Sequence, residues 1–516
     1  MKKGLGVLLA AVLTTGTLAG CNSKEPAKEG AAGAGPVKFS VSFSTGGNAY
    51  LESASDINKD KWVLELEKRT NTDLDLKPLS HKEFDQKMSL MFAGNDIPDV
   101  VSNLRGGPTT SSMSGSVEAG VFMPLDDLLK ENAPNLMKLV PKEAWEETSY
   151  DGKIYGIPGW LTNPSRRATF IRTDLLEKAS LKQPVTVEEY LDVLRAFKKM
   201  GVENPYQIRE QFKYADTFLG AYDVMPYQFE LMNGEVVPKF FDVDNMTKAL
   251  QTYKTMYEEG LIPKDFATVS QTDYNKNIAA GKSGIWSANG EALLNFRGKI
   301  KDAVKDGKVD IVPSPKGPEG KGGHGVYGYI STAKYINSKV DKEKAKKIIQ
   351  FFDWMSTEEA EEFFTFGIEG ETYTKENGKI NYKQPKTKEE IDEANYRQTT
   401  LWMVHDLTYN KKLSELTEDG KDMVEAFDNV LSKEGVGGIT FTTSLASFTK
   451  YPDLASGGDT GPKFILDQMI QMIYGKRPIS DWPKVIEEYK AKGGKEIIKE
   501  ATERYNKKEG VVDRAR

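Results

Sequence analysis

Thiols and imidazoles are nearly missing from this sequence: its 516 residues hold one cysteine and three histidines. A single thiol excludes disulfide frameworks and cysteine–zinc centres within the chain. The histidines, His81, His324 and His405, are too few and too scattered for a histidine-based catalytic site. Neither a Gly-x-Ser-x-Gly elbow nor His-Glu-x-x-His occurs. A basic excess is missing as well. The 70 Lys and Arg stand against 76 Asp and Glu, a net charge of −6. That balance argues against nucleic acid as a partner, because polyanion binding needs basic patches that outweigh their surroundings. Past residue 21 no apolar run approaches membrane-spanning length; the best, Ile348 to Phe352, is broken by Gln350.

The single cysteine is placed informatively. Lys2 and Lys3 precede an apolar segment from Leu5 to about Leu18, which ends in Leu18-Ala19-Gly20-Cys21. This is the layout of a bacterial lipoprotein signal, with a cationic start, an apolar stretch too short to stay as an anchor, and small residues before the cut. Residues 1–20 are expected to leave as the signal peptide, with Cys21 carrying lipid; a plain secretory leader with an incidental cysteine is the bland alternative. Two or more acyl chains hold a protein stably on a membrane where one does not. The mature fold would then contain no thiol and would lie outside the membrane, tethered to its extracellular face. Residues 21–36, rich in Gly, Ala, Pro and Lys without periodicity, read as a flexible tether. The remaining chain, 39% hydrophobic and 28% charged, is long enough for two or more globular domains.

From Val37 the pattern alternates between strands and amphipathic helices. Val37 to Phe43 is β-branched and alternating, and so reads as a first strand ending in Ser44-Thr45-Gly46-Gly47. Phe84, Met88, Met91 and Phe92 share a helical face closed by Gly94, and Pro98 to Val101 opens a strand. Thr186 and Glu189 form a capping-box pattern ahead of Val187, Tyr190, Leu191, Leu194 and Phe197. Met246, Leu250, Tyr253 and Tyr257 repeat the theme, and a second capping box is expected at Ser356 and Glu359. The charged stretch from Trp482 to Arg516 reads as a solvated surface helix. The mixture indicates an α/β architecture without solenoid repeats.

Several segments in order resemble the extracellular solute-binding lipoproteins of bacterial ABC importers (family 1), in particular the Gram-positive group associated with oligosaccharides. They are Leu90 to Val100 (LMFAGNDIPDV), Asp151 to Pro158 (DGKIYGIP), Ile171 to Leu176 (IRTDLL), Pro184 to Tyr190 (PVTVEEY), Glu259 to Pro263 (EGLIP), Gly281 to Trp286 (GKSGIW) and Phe366 to Gly370 (FGIEG). The resemblance implies a two-lobed, periplasmic-binding-protein-like (type II) α/β fold with a central cleft and hinge. Each lobe is then discontinuous: 37–157 with 325–398, and 158–324 with 399–516. Gly325 to Ile330 resembles the return strand, with a third crossing near 395–405. A few glycine-bearing crossings suit a hinge that absorbs backbone rotation. Many relatives carry an Asp/Asn/Gly-rich calcium loop after the helix that here ends at Lys198. This chain reads Lys199 to Tyr206 (KMGVENPY) instead, and Glu203 with Asn204 cannot supply the six to eight oxygens calcium wants. No metal is expected there, and no cofactor.

Chemistry-bearing motifs are sparse. Asn277 to Ser283 (NIAAGKS) imitates the end of a phosphate loop, but Lys276 stands where that loop needs glycine; it reads as a helix end introducing the strand of Trp286. Gly317 to Gly325 (GPEGKGGHG) fits neither nucleotide pattern and reads as a mobile loop beside the hinge. The Glu188-Glu189 and Glu358-Glu359 doublets sit at helix N-termini, where negative charge complements the dipole.

Aromatic residues are the better clue, since sugar rings lay apolar faces on Trp and Tyr while their hydroxyls need polar partners. The candidate ligand residues are Trp160, Trp286 and Trp402 near the crossings, Tyr327 and Tyr329 two apart on the presumed hinge strand, and Asn163 and Arg166, with Arg167 beside them, just after the first crossing. Packing inside a lobe is the competing reading for each. Trp62, Trp145, Trp354 and Trp482 read as structural. The resemblance implies a monomeric receptor that takes an oligosaccharide, breaks no bond, and hands it to ABC permease subunits. Alternatives are a surface-attached carbohydrate-active enzyme, the same fold holding a peptide or small zwitterion on anchors such as Arg166 or Arg172, and a sensor for a membrane kinase.

Overall fold

Val37–Ser44 buries Phe39, Val41 and Phe43 and pairs in parallel with Thr72–Leu79 on one side and Val100–Leu104 on the other. Parallel neighbours need crossovers, and the amphipathic helices Lys61–Thr70 and Phe84–Ala93 supply them. Ile330–Ile336 and Gly156–Trp160 complete this five-stranded sheet, the first antiparallel to Val100–Leu104 and the second antiparallel to Ile330–Ile336. The computed structural model describes residues 35–104, 107–108, 110–113, 115–457 and 459–514. The signal peptide, Cys21 and the tether up to residue 34 lie outside the described residues. Val37–Arg516 forms one compact unit. Among the described residues no helix is long and apolar enough to cross a membrane.

A second sheet orders Val309–Val312, Arg167–Arg172, Ser283–Asn289 and Asn204–Tyr206. A third orders Glu235–Pro238, Phe229–Met232, Ile439–Phe441 and Val511–Asp513. The hydrophobic cores divide the same way. One gathers Phe39, Leu74, Ile157, Ile336, Phe352 and Tyr396. Another gathers Leu194, Phe218, Leu250, Met469, Trp482 and Tyr489. The chain is thus an α/β fold of two lobes. Leu401 to Val404, assigned by sequence to the second lobe, pack in the first core.

Local signals mostly hold. Thr186 and Glu189 form the reciprocal capping box of Val187–Lys199, and Gly94 caps Phe84–Ala93. The second box does not form: Thr357, not Ser356, caps Glu358–Phe366, its hydroxyl accepting from the N–H of Ala360, whose side chain cannot return the bond. The stretch from Trp482 is no free surface helix. Trp482, Val485, Ile486 and Tyr489 are buried, and Val511–Asp513 returns as a strand on Ile439–Phe441. The glycine-rich loop 317–325 is also more constrained than its composition suggests. A side chain at Gly323 would meet the backbone of Gly435, and one at Gly325 would meet the Tyr227 hydroxyl.

Three segments connect the lobes and hydrogen-bond to one another. The Trp160 N–H donates to His405 O (3.2 Å) and the Leu407 N–H to Trp160 O (2.7 Å). The Leu161 N–H donates to Tyr329 O (2.8 Å) and the Tyr327 N–H to Pro164 O (2.9 Å). Few residues joined by backbone bonds, with bulky cores on either side, are the geometry of a hinge.

Candidate binding cleft

Beside these crossings lies a cavity of about 750 Å³, walled by residues from both cores. Tyr214, Tyr227, Tyr327, Phe229, Phe441 and Phe448 supply rings. Thr440, Thr442, Thr443, Ser444 and Asn289 supply short polar groups. Its size lies within the range that small-molecule sites occupy.

The floor is an ionic network centred on Arg167, the first residue of its strand. Its side chain is 1% exposed, and Nη1 donates to Asp216 Oδ2 at 2.7 Å. Nη2 donates to Asp459 Oδ2 at 2.5 Å and to the Tyr327 hydroxyl at 2.8 Å. Tyr227 donates to Asp216 Oδ2 (2.8 Å), Tyr327 to Asn289 Oδ1 (3.0 Å), and Lys213 to Asp459 Oδ1 (2.8 Å). Burial, the largest single influence, disfavours the guanidinium charge, but Asp216, Tyr327, Tyr227 and Asp459 together outweigh it and push the Arg167 pKa up. Burial would raise Asp459, yet Arg167 and Lys213 hold it below the usual carboxylate range. Burial, then Asp216, pushes the Tyr227 phenol well up, and burial pushes Tyr327 up against Arg167, so both rings keep their protons near neutral pH.

Four polar atoms of cavity-lining residues are buried without a hydrogen-bond partner: Arg166 Nε, Arg167 Nε, Gln228 Oε1 and Arg514 Nε. Buried polar groups are ordinarily satisfied. The hydroxyls of Thr440, Thr442, Thr443 and Ser444 and the Asn289 amide are the lining groups that a hydroxyl-rich ligand can meet. The two carboxylates that line the cavity, Glu147 and Asp459, are held by the guanidinium groups of Arg514 and Arg167.

The sequence-selected residues divide. Arg166 and Tyr327 line this cavity, Arg166 ion-paired with Glu291. Tyr329 lines a neighbouring cavity of about 940 Å³. Asn163 builds the crossing turn, its N–H donating to Thr408 Oγ1 (3.2 Å) and its Oδ1 accepting from the Ser165 N–H (3.0 Å). The three tryptophans belong to cores. Trp160 is 4% exposed and packs in the first lobe. Trp286 is 0% exposed, stacked on Phe170 with centroids 5.9 Å apart and edge-on to Phe296. Trp402 stacks between Phe364 (5.3 Å) and His405 (4.2 Å), and its indole N–H donates to Met355 O (2.8 Å). Arg172 is spent on Asp174 inside the second lobe, at 2.6 and 2.8 Å. Sequence reasoning missed Tyr214, Tyr227, Phe441 and Asp459. Only the run Thr440 to Ser444, hydroxyl-rich around Phe441, hinted at them.

At the position where calcium was judged absent, Glu203 pairs with Lys282 at 2.9 Å. Among the described residues no group of three or more His, Cys, Asp or Glu could hold a metal ion.

Residues 53–362 match the family described as bacterial extracellular solute-binding protein. The chain belongs to that family. Within it, the chain is 27% identical over 474 residues to the polygalacturonan/rhamnogalacturonan-binding protein YtcQ of Bacillus subtilis, covering 87% of this chain and 88% of the relative. It is 25% identical over 528 residues to lipoprotein LipO of the same organism, covering 98% of each. Among solved structures, the Streptococcus pneumoniae ABC-transporter substrate-binding protein FusA in complex with kestose superposes with a TM-score of 0.61 at 17% identity, covering 92% of this chain and 99% of that one. These matches place the two-lobed fold among the solute-binding proteins.

Proposed function

We propose that this solute-binding protein captures an oligosaccharide in the cleft between its lobes and delivers it intact to an ABC permease, while lipid on Cys21 holds it at the extracellular face of the membrane. The observation that carries the reading is the cavity itself, walled by both lobes, with the rings of Tyr214, Tyr227, Phe229, Phe441 and Phe448 from the second lobe and of Tyr327 from a crossing set beside short polar groups. Rings accept the apolar faces of sugars, and the lining hydroxyls of Thr440, Thr442, Thr443 and Ser444 with the Asn289 amide pair with their hydroxyls. The names of the relatives agree in class, polygalacturonan for one and kestose for another.

The lobes we assign are 37–160 with 330–404 and 167–324 with 410–514, joined by the three crossings. Ligand touching both lobes favours the closed over the open form by its differential affinity, and the permease reads the closed shape. Turning a 1:99 population into 99:1 takes about 5.5 kcal/mol of such differential binding. No bond-breaking step is assigned. With Glu147 and Asp459 both engaged by guanidinium groups, neither is a free acid or base, as glycoside hydrolysis would require of a carboxyl pair.

Calorimetric titration of the fragment 22–516 with galacturonan and neutral fructan oligomers, followed by chromatography of the sugars, tests this. Binding with every sugar recovered intact is the expected result. Shortened sugars would make the protein an enzyme, and silence across the panel would reject a carbohydrate cargo.

A further inference from the structure

The cleft has a second chamber. About 940 Å³ in volume, it adjoins the first and shares with it Glu147, Val326, Thr442, Thr443, Val512 and Arg514. The side of the first lobe carries Glu118, Glu143, Glu146 and Asp151, and the side of the second carries Arg504, Lys507 and Lys508 together with Glu509 and Asp513. Between the chambers, Arg514 Nη2 donates to Glu147 Oε1. Glu147 ends the helix Lys142–Glu147, whose Ala144 and Trp145 pack in the first core. Arg514 follows the strand Val511–Asp513, which belongs to the sheet of the second. The ion pair therefore crosses from lobe to lobe at the boundary of the two chambers.

The geometry lets this contact open without abandoning either partner. Glu147 Oε1 also accepts the Tyr329 N–H (3.0 Å), and Arg514 Nη1 also donates to Thr440 Oγ1 (3.2 Å). The backbone of Arg514 is fixed, its N–H donating to Gly438 O (3.1 Å), and its carbonyl approaches Gly437 so closely that a Cβ there would lie 1.6 Å away. Only the long side chain is left to swing. A fixed backbone, a flexible arm and a substitute partner at each end describe a gate more than a strut.

We propose that Glu147 and Arg514 form a removable partition that sets the length of ligand the cleft accepts. A short oligomer occupies the first chamber with the pair intact, and a longer one must displace Arg514 to run on into the second. This rests on the cleft being the carbohydrate site. Glu147 and Arg514 are specificity-determining residues by this argument.

Two measurements decide it. In the first, Arg514→Gln and Glu147→Gln are titrated with oligomers of increasing length, and the ratio of long-chain to short-chain affinity is expected to rise at least tenfold over the parent. An unchanged ratio overturns the partition. The second needs no sugar. Ser331→Cys, in the first chamber only, gives the fragment 22–516 its one thiol, and maleimides with short and long polymer tails are timed against it. Adding Arg514→Gln should speed the long reagent over the short one at least threefold, and equal acceleration of both overturns the proposal. Failure of the parent to bind any oligomer would reject the carbohydrate reading, while the labelling ratio still decides the gate.

Discussion

Arg167 and Asp216 meet beneath the cleft as a buried pair, Nη1 to Oδ2 at 2.7 Å, with side chains 1% and 2% exposed. Their surroundings make the pair an anchor for the binding surface. Tyr327 and Asp459 hang on the same guanidinium, and Tyr227 on the same carboxylate. Removing one member of a buried pair strands the other, at about 3–5 kcal/mol. Asp216→Ala should therefore lower unfolding stability by that amount in urea titrations and loosen Tyr227 and Tyr327 together. The paired change Arg167→Met with Asp216→Leu should cost less than Asp216→Ala alone; a larger cost would mean the charges themselves hold the lobe together.

Tyr327 is the sequence-selected aromatic that the fold brings to this floor. Tyr327→Ala should weaken oligosaccharide affinity about tenfold to a hundredfold, or 1.4–2.8 kcal/mol, with the melting temperature nearly kept. Affinity unchanged alongside a lower melting temperature would make the ring a strut for Arg167.

Trp286 should behave in the opposite way. Its indole fills the core between Phe170 and Phe296, so Trp286→Ala removes a large buried ring at about 3–5 kcal/mol. The protein that remains folded should bind as tightly as the parent. A loss of affinity at full stability would place this residue at the ligand after all.

Acid should weaken the fold through its buried imidazoles. Burial pushes His324 down to about 4, Asp216 and Arg167 opposing each other nearby. Burial, with the charge of Lys334, pushes His405 down to about 3. Both rings take a proton more readily in the unfolded chain than in the fold. Their stabilisation is complete above pH 6.5 and drains away as pH falls through 6.5 toward 4 and 3. For His324 alone the shift amounts to about 3 kcal/mol. Its Nε2 lies 2.9 Å from Thr169 Oγ1, a contact that glutamine can reproduce. Denaturation midpoints from pH 7 to 4 should fall less steeply in His324→Gln than in the parent; parallel curves would remove His324 from the cause.

Lys334 works the other limb. Burial pushes its ammonium down to about 7, below its value in the unfolded chain. Stability should rise from pH 7 toward 10, where the unfolded state still holds the proton that the fold has given up. Lys334→Met should flatten that rise. An equally steep rise in the variant would assign it to other groups.

What the sequence made legible was local. Thr186 and Glu189 announce a helix start because both halves of the box lie three residues apart, and Gly94 announces an end for similar reasons. The facing of Trp286 was not legible. Ile285 and Trp286 point to opposite sides of one strand, and both sides are buried under separate cores, so alternation carried no sign of which face met solvent. Trp402 misled in the same way, its aromatic partners Phe364 and His405 coming from different segments. The binding floor joins Arg167, Asp216, Tyr327 and Asp459, residues up to 292 positions apart. No spacing rule links them; only the crossings bring them together.

Small-angle X-ray scattering of the fragment 22–516, with and without a saturating oligosaccharide, tests the central claim most directly. A ligand that bridges the lobes should lower the radius of gyration and leave the sugar whole. An unchanged radius at full occupancy would contradict capture by closure of the cleft.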